Sequence, residues 1–229
     1  MGVHGVVNLP AVVLLSGGLD STVTLAKAIA DGHSVTALSF EYGQKHTREL
    51  DSAKNVCKHY GVRHVIMKMD LTSFRSSLIR DDMEIPKGRD HIGNDIPDTY
   101  VPARNIIMLS AAAGLCESTD SDRIYIGANS VDYSGYPDCR PEFFESFEEM
   151  IGVGTKAGVE GHGIKIETPI LRLSKADIVR LGMELKAPLE LTWSCYSGGK
   201  KACGKCDSCI LRLNGFKEAG VKDPVGYEK

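Results

Sequence analysis

The stretch Ala11-Val12-Val13-Leu14-Leu15-Ser16-Gly17-Gly18-Leu19-Asp20-Ser21-Thr22 decides the fold. Its first five residues form an unbroken apolar run, which suits a parallel strand buried on both faces. Two glycines follow. Residues 22–30 then read as a helix with Val23, Ala26 and Ala30 on one side. A strand, a glycine loop and a helix in that order turn the free N–H groups and positive dipole end of the helix toward an anion. Gly17 and Gly18 let the backbone turn tightly against a ligand, and Ser16 and Ser21 add hydroxyl donors. Asp20 or Ser21 acting as a plain helix cap would use the same residue types, so the loop alone leaves both readings open.

Working outward, strand and helix signals alternate. Residues 34–40 read as a second strand, 44–60 as a helix ending at Gly61, and 62–67 as a third strand. Residues 104–117 read as a helix offering Ile106, Ile107, Leu109 and Ala113 to a core, and 123–126 as a fourth strand. Such alternation predicts βαβ units in a doubly wound, mainly parallel α/β sheet with helices on both faces. Ligands of these sheets sit at the carboxyl ends of the strands. Residues 81–99 read as a long loop, and the glycine-rich 152–163 as a second mobile segment. We expect residues 1–189 to form the α/β domain and 190–229 a C-terminal segment packed on it.

Composition sets the outer bounds. At 229 residues and 42% hydrophobic content, the chain can bury one full core. Its net charge of −3 argues against a stable nucleic-acid partner. The N-terminus has no basic start with a long apolar run, and no run is long enough to span a membrane. A cytoplasmic protein without a membrane partner is expected, and a homodimer is left open.

Cys195, Cys203, Cys206 and Cys209 form C-x7-C-x2-C-x2-C, with a short helix expected over 207–219. Four thiolates gathered this closely suit a closed tetrahedral Zn2+ site that staples a segment too small for its own core. An iron–sulfur cluster is the competing reading, because ferredoxin runs also use C-x2-C-x2-C. Four protein thiolates leave no open position, so the centre reads as structural. Cys57 and Cys116 fall in helices as small core residues; Cys139 lies near the proposed site, but nothing beside it marks it as activated.

There is no G-x-x-x-x-G-K-[ST] and no G-x-G-x-x-G. Ser16-Gly17-Gly18-Leu19-Asp20-Ser21 instead resembles the pyrophosphate-binding loop of the family that includes asparagine and GMP synthetases and tRNA lysidine synthetase. That resemblance implies an adenine nucleotide alpha-hydrolase-like fold and cleavage of ATP between its α- and β-phosphates. It also implies AMP transfer to a substrate oxygen, with Mg2+ and with nucleotide contacts from Leu15 through Thr22.

Residues 100–105 (Tyr-Val-Pro-Ala-Arg-Asn), 127–133 (Gly-Ala-Asn-Ser-Val-Asp-Tyr) and 173–177 (Leu-Ser-Lys-Ala-Asp) narrow the choice. With 191–196 and 203–209 they resemble the 7-cyano-7-deazaguanine synthase family over almost the whole chain. The resemblance implies a ligase that takes 7-carboxy-7-deazaguanine, ammonia and ATP on the path to queuosine or archaeosine. It also implies zinc on the four cysteines.

Three residues are candidate catalytic groups. Ser174 and Asp177 match a capping box, which puts Lys175 in the first turn of a helix, where a cation opposes the dipole unless an anion lies between them. Arg104 also opens a helix and is a candidate for phosphate or substrate carboxylate. Asp20 is a candidate for orienting a loop amide or holding Mg2+. Asp132 and Glu142 are candidate acceptors for the N–H edge of the base, and Tyr133, Tyr136 or Phe143 could stack on it. A tRNA-thiolating or lysidine-type adenylating enzyme is the alternative on the same loop.

Overall fold

The computed structural model describes residues 9–86, 96–131 and 135–228. Five strands, β1 (Pro10–Leu14), β2 (Ser34–Glu41), β3 (Arg63–Lys68), β4 (Arg123–Ile126) and β5 (Lys165–Glu167), form one sheet in the order β3-β2-β1-β4-β5. Every pairing is parallel, and the register sets Leu14 beside both Leu38 and Ile126.

The apolar run at the start of the chain is explained by its central place. Val12 and Leu14 pack with Leu109 and Ala112 of α3 (Arg104–Ser118) and Phe144 and Phe147 of α4 (Pro141–Gly154). Ala11, Val13 and Leu15 pack on the other face, with Leu25 and Ala28 of α1 (Leu19–Ala30) and Ala53 and Val56 of α2 (Arg48–Tyr60). A strand covered by helices on both faces has no use for polar alternation. Strand order reverses at β1, which opens a crevice between the carboxyl ends of β1 and β4.

Several boundaries differ from expectation for local reasons. The helix expected from residue 44 begins at Arg48. Gln44 is diverted into a turn, its side chain accepting from Tyr42 N at 2.8 Å and donating to Phe40 O at 3.3 Å. Gly61 ends that helix in the left-handed conformation at φ 65, as expected. The glycine-rich 152–163 is largely ordered. Buried Phe144, Phe147 and Ile151 carry α4 through Gly154, and Thr155 caps the short α5 (Lys156–Val159) by accepting from Gly158 N. Strand β5, with one apolar residue in Lys-Ile-Glu, is too short for a periodic signal. Of the expected loop 81–99, residues 87–95 lie outside the described residues, and the rest holds no helix or strand.

The chain closes with α6 (Lys175–Glu184) and α7 (Asp207–Glu218), whose Ile178, Val179 and Phe216 pack on Leu19, Val23 and Ala26 of α1. No described helix is long and apolar enough to cross a membrane.

Candidate active site

The glycine loop fills the turn between β1 and α1. Gly18 is the N-cap, and no side chain caps the helix, so Asp20 and Ser21 are freed from that task. Ser21 instead turns back, its Oγ accepting from Ser16 N at 3.2 Å and lying 3.0 Å from Ser16 Oγ. Gly17 sits at φ 90, and a Cβ there would lie 2.2 Å from the Glu49 carbonyl oxygen and 2.6 Å from Ala53 N. Only glycine fits between the loop and α2.

Lys175 opens α6 as expected from the capping box. Ser174 Oγ accepts from Asp177 N at 3.1 Å and donates to the Asp177 carboxylate at 2.6 Å. Upstream, the Asn129 side-chain amide donates to Ile170 O and Leu173 O at 3.0 and 2.7 Å, tying the loop after β4 to the entry of α6. Lys175 is not a solvated surface residue. It is buried, and its Nζ lies 2.9 and 2.8 Å from the two carboxylate oxygens of Asp20. The lysine and the loop carboxylate thus meet at the mouth of the β1–β4 crevice.

Arg104 opens α3 behind Ala103, a non-glycine N-cap held at φ 56. Left-handed backbone at alanine costs about 1 kcal/mol and persists only where surroundings enforce it. Here Ala103 N donates to the Tyr100 hydroxyl at 3.2 Å, and the next turn is pinned by Asn105, which donates through N and Nδ2 to Asp138 Oδ2 and O. Burial opposes the charge of Arg104, but the fields of Tyr42, Tyr136 and Asp138 outweigh it and keep the guanidinium firmly protonated. Among the described residues no carboxylate forms an ion pair with it.

These groups border one cavity of about 250 Å³. Leu15, Ser16, Gly18, Leu19, Asp20 and Ser21 line it together with Arg104 and Lys175, while Gly17 faces α2 and Thr22 is fully buried. Tyr136 lines the cavity too, its hydroxyl 2.6 Å from Thr99 Oγ1. Phe143 packs into the core beside Phe144 and Phe147 instead. Glu142 is exposed on the first turn of α4 and is not brought to the cavity, and Asp132 and Tyr133 lie outside the described residues.

Glu49 lines the cavity without a sequence signal, and Cys139, expected near the site but not activated, lines it too. The Glu49 carboxyl is pushed up to about 7 by burial, against the pull of the Arg104 charge. Cys139 accepts a weak bond from Asn105 Nδ2 at 3.6 Å, and burial pushes its thiol up to about 12, so it stays protonated. Only long-range packing brings Glu49 into the crevice.

Behind the loop lie the four cysteines, all buried, with their sulfurs within 4.8 Å of one another. Cys203 Sγ and Cys209 Sγ stand 3.9 Å apart, close to the edge of about 3.8 Å for a tetrahedron of thiolates about 2.3 Å from its centre. Ser197 N and Cys203 N donate to Cys195 Sγ, and Lys205 N and Cys206 N to Cys203 Sγ. Thiol donors from Cys206 and Cys209 hold the Cys195 thiol far below its ordinary range, while Cys206 is pushed up to about 12. Four buried sulfurs gathered this closely could together hold a metal ion.

Fold and crevice together define a doubly wound, parallel α/β domain with a glycine loop at the switch point between β1 and β4. Among solved structures, a 4-thiouridine synthetase–RNA complex with bound ATP aligns with a TM-score of 0.51 at 16% identity, over 91% of this chain and 53% of that one. The model of the family described as queuosine biosynthesis protein QueC matches residues 10–220, and the chain belongs to that family. It is 54% identical over 220 residues to the 7-cyano-7-deazaguanine synthase of Thermoplasma acidophilum, covering 96% of this chain and 92% of the relative. To that of Acetivibrio thermocellus it is 55% identical over 219 residues, covering 95% and 97%. The family is one of enzymes, and these relatives do not favour the tRNA-thiolating alternative.

Proposed function

We propose that this chain is an ATP-dependent C–N ligase that turns 7-carboxy-7-deazaguanine and ammonia into 7-cyano-7-deazaguanine. The observation that carries the reading is one crevice in which the glycine loop, Lys175 and the buried cation of Arg104 meet.

In this reading the loop holds ATP through backbone N–H groups, Ser16 and Ser21. Lys175 and Arg104 receive the negative charge that builds on the phosphates as a substrate carboxylate oxygen attacks the α-phosphorus and pyrophosphate leaves. Ammonia then attacks the acyl carbon, a proton is lost, and AMP departs with the former carboxylate oxygen, giving the amide. A second ATP activates the amide oxygen. Loss of AMP with the remaining N–H proton leaves the carbon–nitrogen triple bond.

Asp20 is the carboxylate placed to accompany Mg2+ when nucleotide binds and to return to Lys175 when it leaves. Tyr136, which lines the cavity, contacts the base. Residues 1–189 carry this chemistry and 190–229 the metal. The metal is zinc, supported by the all-thiolate donor set and the 3.9 Å sulfur separation. It holds the segment and takes no part in the steps. Seven unpaired cysteines agree with a cytoplasmic setting.

The test is incubation with ATP, ammonium and 7-carboxy-7-deazaguanine, followed by mass spectrometry. The amide should appear first and the nitrile second; unchanged acid would overturn the reading.

A further inference from the structure

Helix α7 carries Cys209 in its first turn and has Cys206 as its N-cap. Farther along the same helix lies Gly215, which is buried. Its backbone does not require glycine, because its φ is not positive. Glycine also weakens a helix interior, so conformation gives no reason for it there. Space does. A Cβ on Gly215 would lie 2.4 Å from Lys175 Cγ, 2.9 Å from Lys175 Cβ and 3.1 Å from Lys175 C. The aliphatic stem of the lysine runs across the helix where a side chain is missing.

That stem decides where the ammonium ends up. With Cβ and Cγ against Gly215, Nζ reaches both oxygens of Asp20. Moving Cγ by the ångström or more that a methyl group demands would swing Nζ away from the loop. The first turn of α6 has little slack for a compensating shift, because Ser174 caps it and Asn129 holds the carbonyl of Leu173.

We propose that Gly215 is a positioning residue for Lys175: the bare patch it leaves on α7 is the seat that aims the ammonium at the phosphate loop. Its effect on turnover rests on the phosphate role of Lys175 given above. The seat also gives the cysteine centre a mechanical route to the site, since α7 begins on the metal-binding group and ends against the lysine. Neighbouring Phe216 fixes the rotation of α7 by burying its ring among α1 and α6 residues.

The test compares Gly215→Ala, Lys175→Ala and the double variant with the full parent chain. Three measurements are made on each: turnover with ATP, ammonium and 7-carboxy-7-deazaguanine, metal content, and, where Lys175 is present, its acetylation rate by peptide mass spectrometry. Gly215→Ala should keep its metal and lose at least about tenfold in turnover, as expected for a displaced electrostatic group. Lys175 should acetylate several-fold faster once it is displaced from Asp20. Adding Gly215→Ala to Lys175→Ala should change turnover less than about twofold, because the shared interaction is already gone.

Unchanged acetylation in Gly215→Ala would overturn the seat, as would a further tenfold loss in the double variant. Wild-type turnover in Lys175→Ala would instead overturn the phosphate role, with the acetylation result still judging the seat. If Gly215→Ala does not fold, recovery of folding in the double variant locates the clash at Lys175 and supports the seat. Continued failure overturns it.

Discussion

Trp193 donates its backbone N–H to the carbonyl of Gly17 at 2.9 Å, so the cysteine segment grips the glycine loop directly. The Trp193 indole donates in turn to Cys195 O at 2.9 Å, and the Arg48 guanidinium lies 4.2 Å from its ring centroid. Stripping the metal should therefore loosen the loop as well as the segment. Losing several kcal/mol of metal-linked stability lowers Tm by roughly 10 °C in a chain of this size. Calorimetry on the chelated protein should also find ATP affinity at least tenfold weaker. Unchanged affinity would separate the two sites.

Gly17→Ala tests the loop itself. The substitution forces a side chain into left-handed backbone and against the Glu49 carbonyl, which should destabilise the fold by about 3 kcal/mol. Denaturant melts should show that loss, and calorimetry should show no ATP binding in the population that remains folded.

Lys175→Ala leaves Asp20 half-buried without its ammonium partner, and breaking such a pair costs about 3 kcal/mol where burial is deep. Here Asp20 keeps partial exposure, so the loss of stability should be smaller. Turnover should fall by about a hundredfold or more, the scale for removing one preorganised charge. Asp20→Asn should keep Lys175 in place and cost less in turnover than Lys175→Ala. Steady-state kinetics on both variants decides this, and the reverse ranking would remove Lys175 from the phosphate role.

Three buried thiols outside the four-cysteine group make stability fall at alkaline pH. Burial pushes Cys57 up to about 11 and Cys116 and Cys139 up to about 12, from an ordinary value of 9.0. Above pH 9 the unfolded chain releases protons that the native chain retains, so their contribution is fully present below pH 9 and is lost as pH rises toward 12. By pH 10 each withdraws on the order of 1 kcal/mol. Tm measured between pH 8 and 10 should fall, and Cys139→Ala should flatten the slope. Cys139→Ala should also keep ligase activity, whereas a sulfur-carrying role would require that thiol.

The legible parts of this molecule are those written in short stretches. The apolar run before Ser16, the cysteine spacing and the Ser174–Asp177 cap each act within a few residues, and each appears where its local chemistry places it. The run marks a sheet centre because both faces of β1 are covered. Gln44 misled the helix boundary because its side chain competes for Tyr42 N and Phe40 O, a choice that helix propensity does not encode. Strand β5 left no pattern because three residues cannot show a period. Glu49 was invisible as a cavity residue, and so was the seat at Gly215, because both depend on helices that meet only after the sheet forms. The pairing of Lys175 with Asp20 spans the same gap: each residue was singled out alone, but only the fold joins them.

If the loop energises the substrate by adenylyl transfer, the fate of the carboxylate oxygens reveals it. 7-Carboxy-7-deazaguanine labelled with 18O in both carboxylate oxygens should deliver one label to AMP at amide formation and the second to AMP at nitrile formation, with unlabelled pyrophosphate. Label appearing in inorganic phosphate alongside ADP would rule adenylyl transfer out.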